Sequence, residues 1–256
     1  MRVHELDCGT LNAPGGTAVY GSSHFICRVL LIEDGRRLIA VDTGIGHEGI
    51  KVPEARLGEW WLAQTGPVLD PAETLRSRIS ALGLDPRNLT DVILTHHHRD
   101  HVDGLADFPW VRVHASDGCR AIVADGDAGL VASQWAHGVV WAPSPTRTED
   151  WHGFASYRLA GLPESIRLVG LVGHSPGHSG VLVDSTDGAQ PILHVGDAIH
   201  HRAQLTGEAT PALEAFARAS QHNEDDRLAT IRRLAELASE GTVRVVNAHD
   251  PSFSEH

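Results

Sequence analysis

The sequence predicts an α/β protein in which helices cover β-sheets. Short apolar runs that are typical of strands alternate with helical segments in each half of the chain. Clusters of histidine and aspartate follow several of these runs, at points where strands would deliver them to the edge of a sheet. No segment rich in Pro, Gly or Ser divides the chain, so residues 1–256 are predicted to form a single domain.

The first third of the chain contains two strand signals and one helix signal. The apolar runs at 25–32 and 37–41 are flanked by turn-forming residues, which predicts a hairpin or adjacent strands. Asp70 precedes a proline, and Glu73 follows three residues later, as in a reciprocal cap at a helix start. The sequence therefore predicts a helix that begins there and ends near Gly83.

The middle of the chain predicts two strands, a helix and a long irregular segment. Strands are expected at 91–95 and 111–115, and a helix at 116–125. The segment 126–152 is interrupted by two prolines and carries three tryptophans, so it is the longest predicted loop.

The last third alternates strands with one strongly amphipathic helix. That helix is predicted to begin after the capping residue Asn223 and to end at Gly241. The predicted strands lie at 166–172, 180–184, 191–195 and 243–247.

Charge and cysteine content limit the function classes. The chain has 21 Lys and Arg against 33 Asp and Glu, a formal charge of −12, and no basic cluster, which disfavours nucleic acid as a partner. No apolar run approaches the length of a membrane span, and the first residues lack the apolar core of a secretory signal. Three widely separated cysteines indicate reduced thiols, so a cytoplasmic location is expected.

The stretch THHHRDHVDG at 95–104 is the strongest functional signal. His96 and His98 are two residues apart, so in an extended segment their side chains point the same way. Asp100 and His101 follow where the chain is expected to turn, and this second pair can serve a neighbouring point. Imidazole and carboxylate without thiolate favour two divalent cations, preferably Zn²⁺, with Fe, Mn or Co as alternatives.

The same residue types recur behind later predicted strands. These clusters are GHSPGH at 173–178, GDAIHH at 196–201 and NAHDP at 247–251. Because each follows an apolar run, strands would bring them to one edge of a sheet. The alternative of a histidine-rich polar surface or a closed structural zinc site explains one cluster but not this repetition.

The ordered motifs H-x-H-x-D-H, G-H-x-x-G-H, G-D and a late strand-end histidine resemble the metallo-β-lactamase superfamily. The resemblance extends from VDTG at 41–44 to His249. It implies a four-layer αβ/βα sandwich with two packed β-sheets and a dinuclear metal site at one edge. It further implies that Asp42 orients the ligands rather than joining them. The implied ligands are His96, His98 and His174 for the first metal, Asp100, His101 and His249 for the second, and Asp197 for both.

Residues next to these positions have other predicted roles. His97 and Arg99 occupy the variable positions of the motif and are expected to face away from the metals. His178 is predicted to pack near the ligands, and His194 to be a satisfied core histidine. Gly173 and Gly177 are interpreted as turn residues.

A dinuclear site of this kind predicts hydrolysis. Two cations about 3.5 to 4 Å apart lower the pKa of a shared water enough to supply a bridging hydroxide near neutral pH. That hydroxide would attack a carbonyl or phosphoryl centre, and Asp100 is predicted to pass a proton to the leaving group.

The substrate prediction depends on the closest branch of the superfamily. The chain is most similar to N-acyl-homoserine lactone lactonases, which predicts opening of a lactone or cleavage of a carboxylic ester. That branch usually has a tyrosine three residues after the bridging aspartate, where this chain has His200. His200 is predicted to be catalytic and to contact the substrate. Organophosphate hydrolases also carry histidine near this point, which leaves phosphotriesters and aryl esters open.

The tryptophans are candidate walls of the substrate pocket. Trp60, Trp61 and Trp135 lie in two segments predicted to be loop-like insertions that border the site, and large apolar rings suit such walls. The alternatives are that these rings pack the insertions onto the body of the protein or form the contact of a homodimer.

Two further functions stay open. A thioester hydrolase usually needs basic residues for its substrate, whereas this chain has a single lysine. A non-catalytic binder of a small ligand would keep the metals for shape alone, and it would bind without turnover.

Overall fold

The computed structural model describes residues 1–126, 131–184 and 189–254. The strands, in chain order, are β1 (Arg2–Leu11), β2 (Phe25–Asp34), β3 (Arg37–Val41), β4 (Pro67–Val68), β5 (Leu89–Ile93), β6 (Arg112–His114), β7 (Val140–Trp141), β8 (Thr146–Arg147), β9 (Ser156–Arg158), β10 (Ile166–Gly170), β11 (Ser179–Val183), β12 (Ile192–His194) and β13 (Arg244–Val246). The helices are α1 (Gly16–Tyr20), α2 (His47–Lys51), α3 (Pro53–Leu57), α4 (Glu59–Thr65), α5 (Leu75–Ala81), α6 (Arg99–Val102), α7 (Asp117–Asp125), α8 (Ala132–Trp135), α9 (Ala203–Thr206), α10 (Pro211–Ala219) and α11 (Glu224–Glu240).

The strands form two mixed sheets. The first sheet has the order β4-β1-β2-β3-β5-β6-β7, and the second has the order β13-β12-β11-β10-β9-β8. The first sheet is antiparallel from β4 to β3 and parallel from β3 to β7. The second is antiparallel except for the parallel pair β12 and β13.

The two sheets pack face to face, and helices cover their outer faces. Successive residues of a strand point to opposite faces, so Leu30 and Ile32 of β2 enter the layer between the sheets with Leu168 and Val181 of the second sheet. The outer face of the first sheet packs against α5 and α7. The outer face of the second packs against Leu234 and its neighbours on α11. The predicted four-layer sandwich is confirmed.

Most predicted elements are present, with boundaries that differ by a few residues. The hairpin of β2 and β3, the helix that begins after Asn223 and the strands of the last third all lie where apolar periodicity predicts them. The ten-residue strand β1 and the helix α10 were not predicted from the sequence. Thr210 caps α10 and Pro211 occupies its first turn, so a start signal was present.

The predicted reciprocal cap at Asp70 and Glu73 is wrong. Asp70 caps only a short 3₁₀ turn, and the helix α5 begins after Thr74, whose hydroxyl accepts a hydrogen bond from the Ser77 backbone N–H. The Glu73 carboxylate instead accepts hydrogen bonds from the backbone N–H and the hydroxyl of Thr10, at 2.8 and 2.9 Å. A contact with a distant strand therefore replaces the local cap.

The two segments predicted to be loop-like are partly regular. Trp60 and Trp61 lie on α4, so that segment is helical rather than a loop. The segment 126–152 contains α8, β7 and β8, and its residues 127–130 lie outside the described residues. Both segments pack onto the sheets through their own short elements.

One edge of the sandwich collects the clusters of histidine and aspartate. In the second sheet β10, β12 and β13 run in the same direction, so their carboxyl ends share this edge. The parallel strands β3 and β5 of the first sheet end beside it. Backbone hydrogen bonds join the sheets there, among them those from Ser179 N–H to Thr95 O at 2.9 Å, from Ile26 N–H to His249 O at 3.1 Å and from Arg28 N–H to Ala248 O at 2.8 Å.

The three cysteines are buried free thiols. Burial raises the pKa of Cys119 to about 12, and it raises the pKa of both Cys8 and Cys27 above the usual range of a thiol. These thiols are therefore held in the protonated form at neutral pH. Among the described residues, none of the helices is both long enough and apolar enough to cross a membrane.

Candidate metal centre

The first group of converging side chains consists of His96, His98, His174 and Asp197. One ligand atom of each lies within 4.8 Å of the others, close enough together to hold a metal ion. His96 and His98 follow β5, and their rings are 4.4 Å apart between centroids, as expected for alternate residues of an extended segment. His174 comes from the loop after β10, and its Nε2 lies 3.0 Å from Nδ1 of His98.

The second group consists of Asp100, His101 and His249. Its three ligand atoms also lie within 4.8 Å of one another, and all three side chains are buried. Asp100 and His101 lie on the single turn of α6, which turns the chain directly after His98. His249 follows β13, and its Nδ1 donates a hydrogen bond to Ile26 O at 2.8 Å, so its Nε2 faces Asp100.

Asp197 lies between the two groups. Its Oδ2 is 3.8 Å from Nε2 of His96 and 3.5 Å from Nε2 of His174. Its Oδ1 is 3.2 Å from Nε2 of His101 and 3.0 Å from Nε2 of His249. One carboxylate therefore offers a separate oxygen to each group, which is the geometry of a bridging ligand.

The two groups differ in charge. Burial lowers the pKa of His96 and His174 well below the usual value, and it lowers the pKa of His98 to about 3, so these rings are neutral. Neutral imidazole is the form that binds metals. Burial also acts to lower the pKa of His101, but the carboxylates of Asp197, Asp42 and Asp100 outweigh it and raise that pKa.

Asp197 itself is ionised. Burial acts to raise the pKa of its carboxyl group, but the imidazoles of His249 and His101 hold that pKa well below the usual value. The carboxylate is therefore available as a ligand at neutral pH.

The chemistry of these residues fits a pair of divalent cations. Among the described residues, His96 Nε2, His101 Nε2 and Asp197 Oδ1 are buried without a hydrogen-bond partner. Leaving such atoms unsatisfied is costly, and a cation at each group would satisfy all three. The donor atoms are imidazole nitrogens and carboxylate oxygens, which suit zinc and its neighbours.

Asp42 orients the second group. Its carboxylate accepts hydrogen bonds from the backbone N–H and the hydroxyl of Thr95, and its Oδ2 lies 2.8 Å from Nδ1 of His101. This contact places the proton of His101 on Nδ1 and leaves Nε2 for a metal. The backbone of Asp42 is left-handed, with φ of 60°, and these hydrogen bonds hold it there.

Replacing Asp42 with alanine should weaken metal binding at the second group. We expect affinity to fall by about 10- to 100-fold, because the His101 ring loses its orienting acceptor. Titration of the metal-free protein with Zn²⁺ against a competing chelating dye measures this change. Asp34→Ala is the control, since Asp34 pairs with Arg37 in the hairpin of β2 and β3. Unchanged affinity in Asp42→Ala would contradict the assigned role.

His178 and His194 have the supporting roles that the sequence predicts. His178 donates from Nδ1 to Leu171 O at 2.9 Å, and its Nε2 accepts from the backbone N–H of Asp197 at 3.1 Å. It therefore fixes the backbone that carries Asp197. His194 accepts from Gly196 N–H at 3.2 Å and lies 3.3 Å from Arg28 O, so both of its ring nitrogens have partners in the core.

His200 lies beside the first group. Its Nε2 is 3.9 Å from Oδ2 of Asp197, and its ring is parallel to that of His249 at 6.0 Å with an angle of 6°. Its backbone N–H donates to Oε1 of Gln204 at 2.7 Å. Burial lowers the pKa of His200 to about 4, so the ring is neutral at neutral pH.

The three predicted tryptophans occupy different environments. Trp60 is 73% exposed on α4, whereas Trp61 on the same helix is buried in an apolar cluster with Phe25. Trp135 is half-buried against the core of the first sheet and stacks on Trp141, with ring centroids 6.2 Å apart. Trp61 and Trp135 therefore pack onto the body of the protein, and contact of the three rings with a substrate stays a prediction.

The ring of Phe216 lies against His200, and Phe216 was not among the residues predicted from the sequence. Phe216 of α10 is 40% exposed, and its ring centroid is 5.1 Å from that of His200 in an edge-on arrangement. Leu213 and Ala217 of the same helix are buried, which leaves Phe216 on the side of α10 next to the site. The apolar spacing of residues 211–219 could have predicted the helix α10, but not the contact of Phe216 with His200.

Comparisons with known proteins identify the family of this chain. A family model described as the metallo-beta-lactamase superfamily matches residues 24–240. A probable metallo-hydrolase of Mycobacterium tuberculosis is 33% identical over 263 residues, covering 99% of this chain and 81% of that protein. The N-acyl homoserine lactonase AttM of Rhizobium radiobacter is 26% identical over 190 residues, covering 72% of this chain and 67% of that protein.

A solved structure supports the same fold. The structure of a mutant of B. thuringiensis AiiA, with N-decanoyl-L-homoserine bound at its active site, superposes with a TM-score of 0.74 at 16% identity. The match covers 99% of this chain and 94% of that chain. Together with the family model and the mycobacterial relative, these findings show that the chain belongs to the metallo-β-lactamase superfamily and is a metal-dependent hydrolase.

Proposed function

We propose that this hydrolase opens a lactone or cleaves another carboxylic ester, with N-acyl-homoserine lactones as the first class to test. The observation that carries the proposal is the position of Asp197, whose two oxygens face the two groups while Nε2 of His200 lies beside one of them. The relative named as an N-acyl homoserine lactonase supports this choice over other esters.

The proposed cofactor is a pair of Zn²⁺ ions. The first group, including Asp197, would hold one ion, and the second group would hold the other with Asp197 shared between them. When bound, such a pair supplies hydroxide near neutral pH and polarises the oxygen of a carbonyl group. The protein residues described next position the substrate and move protons.

His200 is proposed to hydrogen-bond the substrate. A neutral imidazole carries one N–H, and with that proton on Nε2 the ring donates toward the region beside Asp197. A substrate oxygen that lies there would accept this hydrogen bond. The contribution of a positioned donor grows as negative charge develops on that oxygen during attack.

Asp100 is proposed to move the proton. It is buried, and its Oδ2 lies 3.7 Å from His249 Nε2 and 4.0 Å from His101 Nε2, at the second group. A carboxylate in this place can take a proton from the attacking water and return it to the alkoxide that leaves when the ester bond breaks. In a lactone this alkoxide stays attached to the product as its new hydroxyl group.

A panel of substrates tests the proposed function. Purified protein loaded with zinc, cobalt or manganese is assayed against N-acyl-homoserine lactones, aryl esters, thioesters and phosphotriesters. We expect the highest kcat/KM for lactones and loss of turnover after removal of metal by a chelator. Preference for thioesters or phosphotriesters would replace the proposal by those activities, and binding without turnover across the panel would indicate a non-catalytic binder.

Phe216 should contact the apolar part of the substrate. We expect Phe216→Ala to raise KM for long-chain substrates by about 10-fold and to leave short-chain substrates within about twofold, because the lost ring removes apolar contact area. Steady-state kinetics with a series of chain lengths measures this effect. Trp60→Ala is the comparison, since it tests the exposed tryptophan that the sequence predicts as a substrate contact. Equal effects on all chain lengths would contradict the role of Phe216.

The proposed partner is thus a small molecule rather than a macromolecule. A net charge of −12 does not favour nucleic acid. A cytoplasmic location and a homodimer stay predictions, and light scattering of the purified protein tests the second.

A further inference from the structure

The loops that carry His200 and His249 run side by side beyond the second sheet. Strands β12 and β13 are parallel neighbours, and their pairing continues through the hydrogen bonds from Val195 N–H to Val246 O and from Ala248 N–H to Gly196 O, at 2.8 and 3.2 Å. Beyond Gly196 and Ala248, no further backbone–backbone hydrogen bond joins the two loops within the described parts of the chain. Something other than the sheet must therefore hold them together around His200.

Asn247 is the first side chain that joins these loops. Its Nδ2 donates to the backbone oxygen of Ile199 at 3.0 Å, and its Oδ1 accepts from the backbone N–H of Asp250 at 3.0 Å. Both hydrogen bonds are buried, so water does not compete for these groups.

Asp250 is the second side chain that joins these loops. Its Oδ2 accepts from the backbone N–H of Arg202 at 2.8 Å, and its Oδ1 accepts from the backbone N–H of Ser252 at 2.8 Å. The side chain is fully buried. Since a carboxylate is a strong acceptor, these hydrogen bonds fix the end of the His200 loop to the end of the His249 loop.

The two contacts bracket the site residues. Ile199 and Arg202 flank His200, and Asn247 and Asp250 flank His249. Between these contacts the two rings lie parallel at 6.0 Å. We infer that Asn247 and Asp250, here called the clamp, are positioning residues that set the place of His200 relative to His249 and Asp197.

His200 needs such a device because its ring has no hydrogen-bond partner in the described parts of the chain. Its Nδ1 is buried without a hydrogen-bond partner among the described residues, and its Nε2 is 3.9 Å from Asp197, beyond hydrogen-bond distance. The backbone N–H of His200 donates a hydrogen bond to Oε1 of Gln204. The place of the ring is therefore set by the backbone of its loop and by packing, and the clamp fixes that backbone.

Histidine side-chain NMR tests the inference without turnover. Long-range ¹H–¹⁵N correlation spectra are recorded on the zinc-loaded protein, and the His200 signals are assigned by their loss in His200→Gln. We expect Asp250→Ala to shift or broaden the His200 ring signals, while Asp91→Ala leaves them in place. Asp91 is an equally buried carboxylate, bound to His114 on the first sheet, and it serves as the matched control. Unmoved His200 signals in Asp250→Ala would overturn the inference.

A conservative variant keeps the inference testable if Asp250→Ala does not fold. Asp250→Asn keeps the shape of the side chain and one acceptor oxygen, so it is expected to fold even if the alanine variant does not. Its His200 signals should move in the same direction as in Asp250→Ala, by a smaller amount. Metal content per chain is measured for every variant, so that a lost ligand is not mistaken for a displaced His200.

A double-mutant cycle gives the kinetic test, and this arm rests on the proposed function. Asp250→Ala should lower kcat by about tenfold with KM within about twofold, and it should have less than about a twofold further effect in a His200→Ala background. Equal losses in both backgrounds would show that the clamp does not act through His200. If no substrate is turned over by the unmodified protein, the proposed function fails, and the NMR result alone decides the inference.

Discussion

Asp197→Asn is expected to lower kcat/KM by about a thousandfold or more, the largest effect of any single substitution considered for this protein. The amide keeps the shape of the side chain but loses the charge and offers only one oxygen. Since the two carboxylate oxygens face different groups, one group would lose its share of the ligand. The variant should also bind about one metal ion per chain instead of two, which elemental analysis after dialysis measures.

The control for this prediction is Asp91→Asn. Asp91 is also fully buried, and hydrogen bonds with His114, Thr90 and Arg112 hold the pKa of its carboxyl at about 2, although burial acts to raise it. Its replacement should reduce stability without changing metal content or KM. Full activity with two metals in Asp197→Asn would show that Asp197 does not bridge the groups.

Gly173→Ala is expected to destabilise the metal-free protein by about 3 kcal/mol and to lower its Tm by about 6–12 °C. Gly173 has φ of +127°, a conformation that L side chains rarely adopt. An added Cβ would lie 2.3 Å from the backbone nitrogen of Arg227 and 2.4 Å from its Cα, so the first turn of α11 would have to move. Because the backbone N–H of Asn223 also donates to Gly173 O, this movement would displace His174 as well.

A matched glycine separates backbone strain from collision. Gly207 has φ of +74° but nothing within 4 Å of an added Cβ. Gly207→Ala should therefore cost only the strain of the left-handed conformation, about 1–2 kcal/mol. Chemical denaturation of the metal-free proteins gives the two free energies of unfolding. Equal losses for both variants would mean that the contact with α11 is not tight.

The motif THHHRDHVDG is a case in which the sequence predicts geometry directly. His96 and His98 are neighbours on one side of an extended segment, and Asp100 and His101 lie on the next turn, so their relative positions depend on backbone periodicity alone. Backbone periodicity does not predict which residues later in the chain join these four side chains. The order of the motifs supplied these later residues through the resemblance to a family, and the structure brings His174 close to His96 and His98, and His249 close to Asp100 and His101.

The errors lie where a distant contact replaces a local signal. Glu73 is placed to cap a helix but binds Thr10, which is 63 residues away. Trp61 was predicted to lie in a loop-like insertion, but it lies on the seven-residue helix α4, which buries Trp61 beside Phe25 and leaves Trp60 exposed. Phe216 lies against His200 because α10 packs there, and nothing in the sequence near either residue states that contact.

By itself the sequence determined the strand and helix periodicity, the local ligand pairs and, through motif order, the family. The tertiary structure alone decided which oxygen of Asp197 faces which group, which aromatic ring lies next to His200, and how Asn247 and Asp250 join two loops. The physical reason is range: hydrophobic periodicity and capping act over a few residues, whereas these contacts join residues that are distant in the chain and meet only when both sheets have packed.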